Sequence, residues 1–420
     1  MDEGEGMIDN REQKERVLLV AVSGTEETGD MDEVRDSLAE LAELTKTAGA
    51  EAVGTVIQNR EAVHPGTYVG KGKIDEIAAM LAETGADGII TDDELSPAQM
   101  KNLEDALGCK VMDRTMLILD IFAKHASTSE GTIQVELAQL KYRSTRLIGA
   151  GLSMSRLGGG IGTRGPGEKK LETDRRLIRA RIAQLNRELE EVRKNREVKR
   201  ARREHAAVPV VAIVGYTNAG KSTLLNKLTG SAVLSEDMLF ATLDPTTRAC
   251  RTEDGHEILL TDTVGFIRKL PHHLVDAFRS TLEEARYADL VLHVVDAAGR
   301  EPDTQMAVVY ETLRRLDISD KPVVTALNKQ DLVSHVTIKD LHADRVVKIS
   351  AKTGEGLPEL LEAILSVLRE QKTYIEKVIP YTEAGKVAEI RRCGELLSEE
   401  YVAEGILVKA YIPKDFPGTI

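Results

Sequence analysis

The chain has 420 residues, 42% of them apolar, which favours two to four domains over one and supplies several buried cores. Its formal net charge of −13 argues against a uniformly basic nucleic-acid binder, and its acidic N-terminus argues against a secretory leader. No apolar run approaches the ~20 residues of a membrane span, and three scattered cysteines show neither disulfide nor zinc spacing, so we expect a cytoplasmic protein.

The first 112 residues alternate strands with helices. The predicted strands are residues 17–23, 52–58, 88–91 and 110–112. The predicted helices are residues 31–48, 74–81 and 96–107, the last with Ser96 as its N-cap and Pro97 at its first position. Because strands and helices alternate, we expect a parallel α/β domain over residues 1–112.

Residues 113–206 carry largely apolar side chains at helical spacing on two segments. One series is Ile133, Leu137, Leu140, Ser144 and Leu147, and the other is Ile178, Ile182, Leu185, Leu189 and Val192. Two such series predict an antiparallel helical hairpin. The connection, residues 149–167, holds eight glycines and a proline, so we expect an irregular tip there rather than a helix.

The second helix of this hairpin is basic. Residues 168–204 contain fourteen Lys or Arg against eight Asp or Glu, a local charge of +6, and the tip adds Arg156 and Arg164. This segregation favours a basic face that meets a polyanion, with Arg156 and Arg164 as candidate RNA-binding residues. The alternative is a solvated helix face with intrahelical ion pairs.

Residues 207–370 return to strand–helix alternation. Strands are predicted at residues 210–214, 257–261, 290–295, 322–327 and 346–349, with helices between them and a last helix at 357–368. After about residue 370 the pattern changes to a segment at 378–382, a helix at 385–392 and a strand at 405–412. Residues 371–420 are therefore predicted to form a small C-terminal α+β appendage, in an α/β multidomain protein.

A glycine-rich segment follows the predicted strand at 210–214 and opens the next helix. Its candidate phosphate-binding residues are Gly215, Tyr216, Thr217, Asn218, Ala219, Gly220, Lys221, Ser222 and Thr223. Glycines let the backbone curl so that its N–H groups point at phosphate oxygens, and the helix dipole adds to this. Lys221 suits the β/γ-phosphates and Ser222 suits Mg²⁺. The alternative, a chance glycine-rich turn, leaves the lysine and serine unexplained.

The sequence DTVGF at residues 262–266 comes directly after another predicted strand. Asp262 can hold Mg²⁺ through water, and the Gly265 N–H can meet the γ-phosphate. Taken alone, this short pattern would be read as a plain turn; its place after a strand strengthens it. Phe266 stands where many GTPases carry a glutamine that orients the attacking water. We therefore assign no catalytic residue and predict slow hydrolysis that a partner completes.

The sequence NKQD at residues 328–331 selects the base. Asp331 can accept two hydrogen bonds from guanine, whereas adenine offers no such donors. Asn328 can reach the guanine edge and also brace the phosphate loop, and the stem of Lys329 can cover the base. The sequence SAK adds Ser350, Ala351 and Lys352, with the Ala351 N–H directed at guanine O6. The ordered set predicts a magnesium-dependent P-loop GTPase domain at residues 207–370 that binds GTP and GDP.

A loop that senses the γ-phosphate is expected at residues 239–248. Such a loop needs a threonine to bind Mg²⁺. The residues alone leave three candidates open: Thr242, Thr246 and Thr247.

Beyond these motifs, the chain resembles the HflX family of ribosome-associated GTPases, in the Obg-like branch of translation-factor-related GTPases. The resemblance covers roughly residues 15–370 and includes HPGTYVGKGK at 64–73, EGTIQVELAQL at 130–140 and SRLGGGIGTRGPGE at 155–168. It implies that Thr242 is the magnesium threonine. Asn218 matches an asparagine that some related GTPases use to hold K⁺; the alternative is that Asn218 only shapes the loop. The resemblance also implies that the partners are the large ribosomal subunit and its RNA, and that the activity is ribosome splitting or rescue.

Two other functions stay open at this point. A signalling GTPase could bind a protein partner through its N-terminal domain. Alternatively, the N-terminal domain could bind a second nucleotide at residues 64–73, although that segment follows a loop and lacks the GKS/T of a phosphate loop, which favours a structural turn. We expect a monomer in each case.

Overall fold

A computed structural model describes residues 14–24, 28–155, 166–204, 208–230, 239–240, 245–252, 257–270, 284–333 and 337–413. The chain divides into two compact units. The first comprises Met1–Lys124 with Gln139–Ile182, and the second comprises His125–Ala138 with Ala183–Ile420. The four domain segments inferred from the sequence stay a prediction.

The first unit contains the parallel sheet that strand–helix alternation predicts. Its strands are β1 (Arg16–Ser23), β2 (Glu51–Asn59), β3 (Gly88–Thr91) and β4 (Lys110–Asp113), in the order β2-β1-β3-β4. Its helices include α1 (Thr28–Thr47), α2 (Lys71–Thr84) and α3 (Pro97–Leu107). Ser96 caps α3 in a capping box with Gln99, and Pro97 stands at its first turn, as predicted.

Helix α4 (Arg114–His125) was not predicted. Its apolar residues Leu117, Ile118, Leu119, Ile121 and Phe122 are all buried. A helix that is buried on most sides has no polar stripe, so its sequence lacks the periodicity on which helix prediction depends.

Two long helices follow, α5 (Ser129–Ser155) and α6 (Pro166–Glu204), at the places predicted for the helical hairpin. The prediction of an irregular connection over residues 149–167 was wrong at both ends, because residues 149–155 and 166–167 are helical. Each glycine costs only about 1 kcal/mol within a helix, which a long helix can absorb, and proline is tolerated at a first helical position. Arg156 and Arg164 lie outside the described residues.

Within the first unit, α5 is fastened to the end of strand β4 by three side chains, the Asp113 clamp (Asp113, Tyr142 and Arg146). The buried Asp113 carboxylate accepts hydrogen bonds from the Tyr142 hydroxyl and, at 2.6 Å, from Arg146. Arg146 also donates to the Leu95 carbonyl at 2.9 Å and lies 3.4 Å from the centre of the Tyr142 ring. Burial and Asp113 raise the pKa of Tyr142, so its hydroxyl remains a donor.

The second unit contains a six-stranded sheet in the order β10-β9-β8-β5-β7-β6. Its strands are β5 (Val210–Gly215), β6 (Thr246–Arg251), β7 (Glu257–Asp262), β8 (Leu290–Asp296), β9 (Val323–Asn328) and β10 (Arg345–Lys348). Only β6 is antiparallel to its neighbour within the described part of this sheet. The helices described here are α7 (Lys221–Thr229), α8 (Pro302–Arg315) and α9 (Leu357–Glu370).

The C-terminal segment is a small α+β element, as predicted. Strands β11 (Lys372–Ile379), β12 (Glu395–Val402) and β13 (Gly405–Pro413) form an antiparallel sheet in the order β11-β13-β12, with helix α10 (Ala384–Cys393). Its core includes Val387, Ile390 and Val408. Strand β12 was not predicted, because three of its eight residues are glutamates.

Across the described residues, none of the helices combines the length and the hydropathy that a membrane crossing requires.

Candidate functional site

Four parallel strands of the second unit end at one edge of the sheet, three of them in residues of the predicted nucleotide site. Strand β5 ends at Gly215, β7 at Asp262, β8 at Asp296 and β9 at Asn328. Because parallel strands present their carboxyl ends at one edge, these residues share the edge where α/β folds bind ligands. The structure thus brings the separate sequence motifs together.

The phosphate-loop backbone requires glycine at two places. Gly220 has a left-handed φ of +94°, and a Cβ there would lie 2.3 Å from Asn328 Nδ2. A Cβ on Gly215 would lie 2.3 Å from the Val294 carbonyl oxygen. A Cβ at position 215 would overlap the backbone of β8, and one at position 220 would displace the Asn328 amide, so glycine at both positions lets the loop turn from β5 into α7 with these contacts intact.

Lys221 is buried at the start of α7. Its ammonium donates to the carbonyl of Tyr216 at 2.8 Å and to that of Gly215 at 3.2 Å. Burial lowers the pKa of Lys221 to about 8, against the opposing effect of Asp262. A Cβ on Gly265 would lie 2.9 Å from Lys221 Nζ, which places the DTVGF backbone directly beside the ammonium. This charge therefore lies between the two predicted phosphate-binding loops.

Two hard oxygen atoms meet where a cation is predicted. Ser222 Oγ donates to Asp262 Oδ2 at 2.7 Å. A serine hydroxyl and a carboxylate are the donor types that Mg²⁺ takes from proteins, so the residues present fit this ion. Thr223 is the next residue on the first turn of α7 and is half-buried.

The three threonine candidates have different positions. Thr247 bonds through its hydroxyl to the Thr261 hydroxyl at 2.9 Å, and Thr246 pairs with Asp262 across β6 and β7. Thr242, preferred from the resemblance, lies outside the described residues. The predicted sensor loop therefore includes the start of an edge strand, β6.

Phe266 joins the DTVGF loop to the phosphate loop through its backbone. Its N–H donates to the Gly215 carbonyl at 3.1 Å, and its carbonyl accepts from the Thr217 N–H at 2.8 Å. Its side chain is only 2% exposed. In addition, the Arg268 N–H donates to the Tyr216 hydroxyl at 2.8 Å. The two loops are thus held as one piece, and residue 266 presents no polar group to a water molecule.

Asn328 is hydrogen-bonded to three other segments, two through its buried side-chain amide and one through its backbone carbonyl. Its Nδ2 donates to the Ala219 carbonyl at 2.8 Å, and its Oδ1 accepts from the Ala351 N–H at 2.9 Å. Its own carbonyl accepts from the Ala297 N–H at 3.0 Å. The bracing of the phosphate loop was expected from the sequence. The Ala351 contact was not, since this N–H was assigned to the guanine.

The base-selecting carboxylate is exposed and held in place. Asp331 accepts a hydrogen bond from Ser350 Oγ at 2.7 Å. This bond, with the nearby charges of Lys352 and Lys329, outweighs the opposing effect of desolvation and holds the pKa of Asp331 below its usual range. The carboxylate is therefore ionised at neutral pH and suited to accept hydrogen bonds from a base.

One further residue of this edge was missed in the sequence. Asp296, the last residue of β8, lies 2.8 Å from Lys329 Nζ through its Oδ2. The signal was available, because Asp296 ends an apolar strand as Asp262 and Asn328 do.

In residues 64–73, the weak candidate for a second nucleotide site, residues 64–69 form a closed turn and residues 71–73 begin helix α2. His64 Nδ1 accepts from the Gly66 and Thr67 N–H groups at 3.2 and 3.1 Å. His64 and Tyr68 exchange backbone hydrogen bonds, and the buried Tyr68 donates to Asp93 at 2.6 Å. These contacts support the structural-turn interpretation.

Comparison with known proteins identifies matches along most of the chain. Residues 35–123 match the family model described as GTP-binding GTPase N-terminal, and residues 125–203 match GTP-binding GTPase Middle Region. Residues 210–329 match the model described as 50S ribosome-binding GTPase.

Similar curated proteins carry one name. GTPase HflX of Lacrimispora saccharolytica is 61% identical, covering 97% of this chain and 96% of its own length. GTPase HflX of Caldanaerobacter subterraneus subsp. tengcongensis is 49% identical over 97% and 94%, and GTPase HflX of Escherichia coli (strain K12) is 46% identical over 85% and 84%. With these similarities over nearly its full length and a phosphate loop, DTVGF and NKQD at one sheet edge, the chain is a GTP-hydrolysing member of the HflX family.

Proposed function

We propose that this GTPase binds the large ribosomal subunit in a GTP-dependent manner and acts in ribosome splitting or rescue. The observation that carries the proposal is the match of residues 210–329 to a 50S ribosome-binding GTPase model, within full-length similarity to HflX proteins. The local charge of +6 in residues 168–204 supports contact with RNA phosphates. Arg156 and Arg164, beside a glycine-rich backbone, are the proposed contacts at the tip.

The nucleotide contacts are proposed from the geometry at the sheet edge. The backbone N–H groups of residues 215–223 surround the phosphates, and Lys221 exchanges its two carbonyl partners for phosphate oxygens. Asp331 accepts from the guanine, while Ser350 keeps its carboxylate in place. Lys352 and Ala351 border the same loop. These residues bind and orient the substrate.

Ser222 and Asp262 are the proposed magnesium ligands, with Thr242 as the third by resemblance. The ion would neutralise charge that develops on the phosphates during transfer. The 2.7 Å hydrogen bond between Ser222 and Asp262 supports this proposal, because it places the two oxygen atoms side by side.

Hydrolysis by the protein alone is proposed to be slow, because Phe266 is buried and cannot orient water. Single-turnover hydrolysis of GTP, measured with and without purified large subunits, tests this. We expect the subunits to accelerate the reaction; equally fast hydrolysis by the isolated protein would contradict the proposal.

A potassium ion is proposed beside Asn218, which is exposed on the phosphate loop with a left-handed φ of +59°. Hydrolysis in matched K⁺ and Na⁺ buffers tests it. We expect a faster rate in K⁺ for the native chain and equal rates for Asn218→Ala. Equal rates in both salts for the native chain would contradict a potassium ion beside Asn218.

The ribosomal function is tested by sedimentation of the full chain with ribosomes through sucrose gradients, with GDP or a non-hydrolysable GTP analogue. We expect co-sedimentation with the large subunit in the analogue and a decrease of intact ribosomes. Lys221→Ala, which loses the phosphate-binding ammonium, is the control and should show no analogue-dependent binding. Absence of salt-sensitive ribosome binding would instead favour a signalling GTPase with a protein partner.

A further inference from the structure

An ion pair joins the ends of two neighbouring strands beside the base-selecting loop. Asp296 Oδ2 lies 2.8 Å from Lys329 Nζ, and the two side chains are 19% and 26% exposed. Asp296 and Asn328 are register partners across β8 and β9, so the pair forms where both strands end. Partial burial makes such a pair stronger than one on the open surface.

Each member of the ion pair is also held by its own local structure. The Ala298 N–H donates to Asp296 Oδ1 at 3.0 Å, so the carboxylate is held by its own turn. Lys329 has a left-handed φ of +64°, which a lysine adopts only when its surroundings impose it. From this backbone the stem of Lys329 reaches Asp296, as the 2.8 Å ion pair shows.

Lys329 also acts on a second carboxylate, that of Asp331, which selects guanine. The positive charges of Lys329 and Lys352 both lower the pKa of Asp331. An ammonium that moved to Asp331 would occupy the acceptor sites that the guanine donors need. The pair with Asp296 opposes that movement.

We propose that Asp296 is a positioning residue for guanine selection: it holds Lys329 so that its stem covers the base and its ammonium stays away from Asp331. The inference rests on the guanine contacts proposed above. It extends the nucleotide site to the end of β8. It also makes recognition of the guanine amine depend on two carboxylates, those of Asp331 and Asp296, rather than on Asp331 alone.

The first experiment measures affinities of the full chain for GDP and IDP, whose base lacks the exocyclic amine. Asp296→Asn keeps the acceptor for Ala298 and removes the charge. We expect its GDP affinity to fall about fivefold and its IDP affinity to fall less, so that the preference for GDP shrinks. An equal fall for both nucleotides would overturn the proposal.

A double-mutant cycle separates positioning from a structural effect. Lys329→Met keeps the apolar stem without the ammonium, so Asp296→Asn should cause no further loss in that background. An undiminished effect there would show that Asp296 does not act through Lys329. Glu370→Gln, which removes the exposed 2.7 Å pair with Arg345, is the charge-matched control and should leave both affinities unchanged.

The same affinities distinguish failure of the proposed guanine contacts from failure of the positioning role of Asp296. If the native chain bound IDP as tightly as GDP, the proposed guanine contacts of Asp331 would fail. If the native chain preferred GDP and Asp296→Asn kept that preference in full, only the positioning role would fail.

Discussion

Two glycines that flank helix α7 have left-handed backbones but different surroundings. Gly220 has φ +94° with Asn328 beside it, whereas Gly230 has φ +64° and open space within 4 Å. Alanine at either position adds backbone strain of about 1–2 kcal/mol. Only Gly220→Ala also displaces the Asn328 amide.

We therefore expect Gly220→Ala to lower GDP affinity at least about tenfold, and Gly230→Ala to lower thermal stability slightly while keeping that affinity. Titration with a fluorescent GDP analogue, together with melting curves, checks both. Equal affinities in the two variants would contradict the role of the Asn328 contact.

The pKa of Lys221, about 8 by burial, predicts a pH dependence of nucleotide binding. Phosphate favours the charged ammonium of Lys221 and raises its pKa in the complex. At a pH where Lys221 of the nucleotide-free protein is partly deprotonated, binding therefore takes up a proton. We expect GDP affinity to fall as the pH rises from about 7 to about 9, with proton uptake in calorimetry. Guanosine, which shares the base and lacks phosphates, should show neither effect.

At the residue scale, the sequence predicts what the chemistry of one motif demands. Phosphate and cation binding require glycines, a lysine and a serine at fixed spacing, so Lys221 and Ser222 are identified without a structure. The partners of Ala351 and Lys329 are not identified in this way. Asn328 and Asp296 belong to other segments of the chain, and only the ends of the folded strands bring them together.

At the scale of elements, burial pattern decides what can be predicted. Strands β5, β8 and β9 are apolar and almost entirely buried, and the sequence predicts all three. Strand β6 is an edge strand with mostly exposed or half-buried polar residues, so its sequence was interpreted as part of a loop. Helix α4 was not predicted for the opposite reason: its apolar residues lie on most sides of the helix, so its sequence has no polar stripe.

A buried polar cluster around Asp340 joins α8, β8 and β9 of the second unit. Asp340 Oδ2 accepts from Tyr310 of α8 at 2.6 Å and from Thr325 of β9 at 2.7 Å. The His342 N–H donates to its other oxygen, and His293 Nδ1 of β8 lies 3.7 Å away. Burial alone would raise the pKa of Asp340, but the nearby His293 and the hydrogen bonds from Thr325 and Tyr310 outweigh this effect and hold the pKa far below its usual range.

Asp340→Asn is expected to lower the local stability of β9 by about 2–3 kcal/mol at neutral pH. Because the folded pKa is depressed, the contribution of Asp340 is present above its unfolded pKa of about 3.9 and is lost as the pH falls toward the folded value. The difference between native chain and variant should therefore shrink below about pH 4. Hydrogen exchange of β9 peptides measures it, with the exposed Asp320→Asn as control; a difference independent of pH would contradict it.

At the scale of the whole molecule, charge segregation predicts how the chain meets RNA. Replacing Arg156 and Arg164 by alanine should weaken binding to the large subunit and reduce the slope of log affinity against log salt by about 2. GDP affinity should not change. Sedimentation at several salt concentrations provides the measurement, and Arg314→Ala with Arg315→Ala, in the last turn of α8, is the matched control. An unchanged slope would reject the RNA contacts.

The Asp113 clamp has a mechanical consequence for the glycine-rich tip. Residues 146–155 of α5, between the clamp and the start of the tip, span about 14 Å at 1.5 Å of rise per residue. A helix of that length is stiff, so a force applied at its end is transmitted rather than absorbed. Such a load reaches Asp113 and the last residues of β4, so the parallel sheet of the first unit is the anchor of α5.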